Sequence, residues 1–165
     1  MISNPTAPSS SLPGGLRLCF ICVALMLTCI PVRAELGGSV SSIQADQEHM
    51  KGTRRVTAAA AYSVHEIQAA TGTMVREFVS PSGTVFGVAW NGPVAPDMRQ
   101  LLGQYFEQYT EQNKEAGQNR RVARGQVAIR QEGLVVEAGG HMRWFTGRAY
   151  LPQMMPQSVS SADIK

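Results

Sequence analysis

The sequence predicts an α+β fold: an antiparallel sheet of about five or six strands, arranged as a meander, a long helix and a second set of strands. One amphipathic helix packs on the sheet, and a short helix precedes it. Two observations carry the prediction. Between Tyr62 and Asn91, three runs rich in β-branched and aromatic residues are separated by turn chemistry at Thr71-Gly72 and at Pro81-Ser82-Gly83. From Met98, apolar residues then recur at helical spacing as Leu101, Leu102, Tyr105, Phe106 and Tyr109.

The chain has 165 residues, enough for one core and too few for two generous ones. Leu18 to Ile30 reads LCFICVALMLTCI, an uncharged apolar run of 13 residues preceded by Arg17 and followed by Pro31, Val32, Arg33 and Ala34. That is the pattern of a cleavable secretory signal over residues 1–34, with Val32 and Ala34 as the compact residues of the cleavage site. Cleavage is expected between Ala34 and Glu35. The run falls short of the roughly 20 apolar residues of a spanning helix, which argues against a permanent membrane span. A lipid anchor on Cys29 is disfavoured, because Met26, Leu27 and Thr28 make a poor lipidation box.

Processing changes the composition: with Arg17 and Arg33 removed, 13 basic residues stand against 12 acidic ones. All three cysteines leave with the signal, so the exported domain is cysteine-free and depends on packing. A near-neutral exported domain is a poor candidate for nucleic acid. The expected product is a single domain over residues 35–152, probed by no repeat or low-complexity tract, in an extracytoplasmic compartment that we take to be the periplasm.

Within that domain, Ser41 and Gln44 suggest a capping box for a short helix ended by Gly52, with Val40, Ile43, Gln47 and Met50 on one face. An alanine-rich connection leads to the three strands. Pro81 and Gly83 suit the corners of a hairpin turn. On the third strand Thr84, Phe86, Val88 and Trp90 are expected on one face and Val85, Gly87 and Ala89 on the other, so both faces are covered. Pro96 and Asp97 open the long helix, the carboxylate favourable at the positive end of the helix dipole, and Gly117 is a plausible stop. A polar connection with Arg120, Arg121 and Arg124 follows; it offers charge to an anionic lipid or polysaccharide, though such charges on a polar loop are more often simply solvated. Val127 to Gln131 turns at Glu132-Gly133 into Leu134 to Ala138, and Gly139-Gly140 leads into Met142 to Leu151. Pro152 and Pro156 end regular structure, leaving residues 153–165 as a loosely ordered tail.

The stretches VHEIQ (Val64 to Gln68), REFVSPSGTVFGVAWNGP (Arg76 to Pro93), MRQLLGQYF (Met98 to Phe106) and GGHMRWFTGRAYLP (Gly139 to Pro152) resemble an uncharacterised family of short exported bacterial proteins, a domain of unknown function. The resemblance covers nearly all of the chain after the signal. It implies an envelope role and brings no catalytic residues.

No local catalytic motif is present: no HExxH, GxSxG, SxxK, Walker sequence or GxGxxG, and no cofactor is called for. The histidines of the exported domain are His49, His65 and His141. His65 and Glu66, as neighbours on a strand, point to opposite faces and are poor partners for one metal ion. Glu77 and Glu137 are expected in cross-strand ion pairs with arginines. The final strand holds the candidate binding residues His141, Arg143, Trp144, Arg148 and Tyr150, which mix flat aromatic area with planar guanidinium groups. The bland explanation is that Trp144 or Phe145 fills the core while Arg143 or Arg148 reaches water. The favoured function is a non-enzymatic envelope accessory protein binding another exported protein or a cell-wall component. The alternative is a small hydrolase or ligand-binding domain in which His141 and Arg143 converge with a carboxylate from another strand.

Overall fold

The computed structural model describes residues 35–118, 126–131 and 133–165. The predicted signal, Glu132 and the Arg120, Arg121 and Arg124 connection lie outside the described residues. In chain order the elements are α1 (Ile43–His49), β1 (Thr53–Ala58), β2 (Ser63–Gln68), β3 (Met74–Val79), β4 (Val85–Gly92), α2 (Met98–Leu102), α3 (Phe106–Gln118), β5 (Gln126–Gln131), β6 (Leu134–His141) and β7 (Trp144–Tyr150). The strands form one antiparallel sheet in the order β1-β2-β3-β4-β7-β6-β5. The two meanders therefore meet where β4 pairs with β7.

The sheet has seven strands, more than the expected five or six, because β1 is a strand rather than a connection. All six of its residues are exposed. Such an edge strand carries no alternation of apolar and polar residues by which sequence could reveal it.

Alternation of side chains across the sheet creates two faces. The helix face presents Ile67, Val75, Val79, Val88, Trp90, Ile129, Val136 and Ala149, and it is covered by Leu36, Ile43, Leu101 and Leu102 with Tyr105, Phe106 and Tyr109 packed alongside. The amphipathic stripe thus lies on the sheet as its spacing predicts. On the other face, Phe78, Phe86 and Ala89 pack with Val159, Ile164, Tyr62 and Tyr150. That side is closed by the C-terminal segment, so we call it the tail face. Where the composition suggested a loose tail, Ile164 is fully buried and Val159 nearly so. Two apolar residues set among polar ones are enough to seat this segment on an aromatic surface.

Three local expectations are corrected. Phe86 does not share a face with Val88, because an irregularity at Phe78/Val79 shifts the register of β3 against β4 and reverses the alternation there. The short helix lacks the proposed capping box: Val40–Ser42 forms a 3-10 turn before α1, and Gln44 donates to Glu48. The long helix is broken. Asp97 caps α2 by accepting from the Arg99 and Gln100 amides, as its place after Pro96 suggests. At Gly103, however, the backbone turns to φ +51°, and a Cβ there would strike the Glu35 carboxylate. A 3-10 turn at Gly103–Tyr105 then leads into α3.

Segment 36–40 threads between the helices and β4, with hydrogen bonds from Leu36 N–H to the Leu101 carbonyl and from Gly37 N–H to the Val85 carbonyl. This seam fixes the helices over the sheet centre. On β7, Gly147 lies beneath the Trp90 indole, and a Cβ added there would come within 2.3 Å of the ring. Gly147→Ala is expected to destabilise the fold by about 1–3 kcal/mol through overpacking, read as a lower urea midpoint at unchanged slope.

Candidate functional site

The sheet leaves the core at the β6–β7 hairpin. Leu134, Val135 and Val136 are buried, exposure grows through Gly139, and residues 140–146 are exposed until Gly147 and Ala149 return inside. His141 pairs with Trp144 across a two-residue turn of Met142 and Arg143. The turn therefore falls later than Gly139-Gly140, which are paired residues of β6. Arg143 occupies it at φ +69°, a left-handed conformation that costs an L-residue about 1 kcal/mol.

The tip carries an unusual amount of apolar surface. Met142 is 91% exposed, Trp144 44% and Phe145 38%. The expectation that Trp144 or Phe145 fills the core is thus not met, since both are exposed. Phe145, with Trp90, Met98, Tyr109, His141 and Met142, lines a cleft of about 450 Å³ beside the helices.

The remaining candidate residues on β7 have structural partners. Trp144, Thr146, Arg148 and Tyr150 share the tail face by alternation. Arg148 is held by Glu137 through Nε at 2.8 Å and Nη2 at 2.6 Å, and it donates to the Ser161 carbonyl. Glu137 also accepts from Arg130 at 2.7 Å, and these two arginine hydrogen bonds hold its carboxyl below its ordinary pKa. Tyr150 belongs to the aromatic packing under the tail. Across the same face Arg76 pairs with Glu66 at 2.8 Å and donates to the Lys165 main-chain oxygen at 3.1 Å. Two arginines thus clasp the tail from opposite sides of β4. Beside it lies an open cleft of about 600 Å³, lined by Arg76, Asn91, Glu137, Thr146, Arg148 and Lys165 among others.

The convergence required by the alternative reading is not found among the described residues. His141 is exposed, with its Nδ1 3.4 Å from the Met142 carbonyl oxygen. The described ion pairs are Arg76–Glu66, Arg130–Glu137 and Arg148–Glu137, none of which includes His141 or Arg143. No cluster of three metal-ligating side chains occurs among the described residues.

Sequence reasoning missed a second polar constellation, on the helix face. The expected cross-strand pair suits Glu137, but Glu77 points the other way from Arg76 and enters the core. There it meets Asp46 of α1, which accepts from the Gln100 amide of α2. Both carboxyls are only 2% exposed. Burial raises the Asp46 pKa to about 6, and burial followed by Asp46 itself raises Glu77 well above its ordinary value. His65 sits directly opposite Glu77 on β2, and its own pKa is lowered by burial and by Arg54. The available signal was alternation: Val75, Glu77 and Val79 occupy every second position of β3, which places Glu77 on an apolar face.

These geometries separate fold from site. Arg148→Ala is expected to cost about 1.5–3 kcal/mol, the range for hydrogen bonds to charged groups, and to expose residues 156–165 to protease. Arg143→Gly, by relieving the left-handed backbone, is expected instead to raise stability by about 0.5–1 kcal/mol in thermal unfolding.

No helix among the described residues is long and apolar enough to cross a membrane. No curated protein and no solved structure matches the chain. A family model does match it over residues 32–164, nearly its whole length, and the chain belongs to that family, the proteins of unknown function DUF2844.

Proposed function

We propose that this is an exported, non-enzymatic envelope accessory protein that uses the β6–β7 hairpin tip to bind another exported protein or a cell-wall component. The observation that carries the proposal is the clustering of exposed Met142, Trp144 and Phe145 at one hairpin tip. Large, semi-rigid aromatic groups supply binding area at low entropic cost, and Arg143 beside them supplies a planar donor. The proposed signal over residues 1–34 accounts for export, with the functional chain beginning at Glu35 in the periplasm.

The test is photocrosslinking in cells from a probe at position 142, combined with intact mass of the recovered chain and binding assays on the purified partner or on cell-wall sacculi. A chain beginning at Glu35 and a reproducible adduct are expected. Trp144→Ala is expected to weaken binding at least tenfold while circular dichroism stays unchanged. Full binding by folded Trp144→Ala and Phe145→Ala variants would remove the tip from the proposal, and a chain retaining residues 1–34 would remove the cleaved signal.

A further inference from the structure

The hairpin reading leaves unexplained why a small domain buries two acidic side chains against each other. Asp46 projects from α1 and Glu77 from β3, so their contact joins the outermost helical cover to the sheet. Ionised carboxylates only accept hydrogen bonds, so two that meet in a sealed site with no cation between them require a proton. We propose that Asp46 and Glu77 form a one-proton latch that fastens α1 to the sheet and releases it when that proton is lost.

The surroundings offer little to replace the proton. From α2 comes Gln100, a neutral donor that satisfies Asp46. From α1 itself, His49 favours ionisation of Asp46. From β1, Arg54 is exposed and acts on Glu77 only as a minor opposing influence. From β2, His65 is held toward its neutral form, and β4 contributes the apolar Val88 opposite Glu77. Among the described residues no ion pair includes either carboxyl, and Glu77 Oε2 has no hydrogen-bond partner. Gln100 and His49 make Asp46 the acceptor, leaving Glu77 as the group whose O–H donates. Loss of that proton sets two anions face to face in a dry site.

The direction with pH follows from linkage. Both carboxyls are raised in the folded chain relative to about 4 in the open one, so their stabilisation is complete below that value and is lost as pH rises. It declines most steeply between about pH 4 and the Asp46 value of about 6, where opening releases both protons, and then more gently until Glu77 itself ionises at higher pH. In that gentler range, each opening of α1 releases one proton to water.

Amide hydrogen exchange tests this on the purified protein between pH 6.5 and 8, after correction for intrinsic rates. Protection of residues 43–49 is expected to fall with rising pH in the wild type, by up to about tenfold per pH unit while opening releases one proton. In Glu77→Gln, whose amide donates to Asp46 without titrating, it is expected to stay flat. Carbon-detected titration of the Glu77 carboxyl in the wild type makes the result independent of how well the variant folds, and is expected to show a protonated group at pH 6.5. An ionised Glu77 at pH 6.5 with α1 still protected, a flat wild-type profile, or an unchanged slope in Glu77→Gln would each overturn the latch.

Discussion

The constraint on which the structure rests is the two-sided burial of β4. Val85 through Trp90 are all buried, although successive side chains point to opposite faces. A strand of this kind cannot lie on the surface of a two-layer domain. It needs apolar cover on both sides, and each covering side chain contributes on the order of 1.5–3 kcal/mol when it leaves water. The two covers come from opposite ends of the described chain. Segment 36–50 and the helices close one face, and residues 156–165 close the other. Pairing of β4 with β7 then unites the two meanders under both covers.

The covers solve the problem of polar groups in different ways, and the solvent explains why. On the tail face, Glu66, Arg76, Glu137 and Arg148 remain about one-quarter to one-third exposed, so opposite charges can pair without complete loss of hydration. Their arginines have donors to spare for the tail's carbonyl oxygens. On the helix face, Asp46 and Glu77 are sealed, and an ionised pair there would bear the full desolvation cost. A retained proton lowers that cost. Two carboxylates on one sheet, Glu77 and Glu137, consequently shift in opposite directions because one is surrounded by core and the other by guanidinium groups.

Sequence legibility follows the same division. The central strands, the apolar stripe of Leu101 to Tyr109 and the cap at Asp97 were readable because each is a local pattern repeated along the chain. Strand β1 was hidden by having solvent on both sides, and the helix break at Gly103 by its dependence on Glu35, a residue distant in sequence. The reversed alternation at Phe86 arises from pairing register, which one strand's residues do not encode by themselves. For the candidate site, the sequence places Trp144, Arg148 and Tyr150 on one strand, but only the tertiary fold distinguishes their surroundings. Arg148 meets Glu137 and the tail, Tyr150 meets the aromatic core, and Trp144 meets water. Asp46 and Glu77, separated by 30 intervening residues, offered no motif at all.

The hairpin tip acquires its significance from the clustering of its apolar residues. Exposed apolar residues are ordinary when scattered. Here Met142, Trp144 and Phe145 cluster at one hairpin tip, and Arg143 holds the turn in a backbone conformation that glycine would adopt more easily. Neither feature assists folding: a polar tip with glycine at the turn would expose less apolar surface and carry less strain. A structural origin would require these side chains to be buried in the core, yet all three are exposed. On the proposed function, recognition accounts for both the aromatic projection and the guanidinium at the turn, and the paired strands behind them supply the base that a binding surface requires.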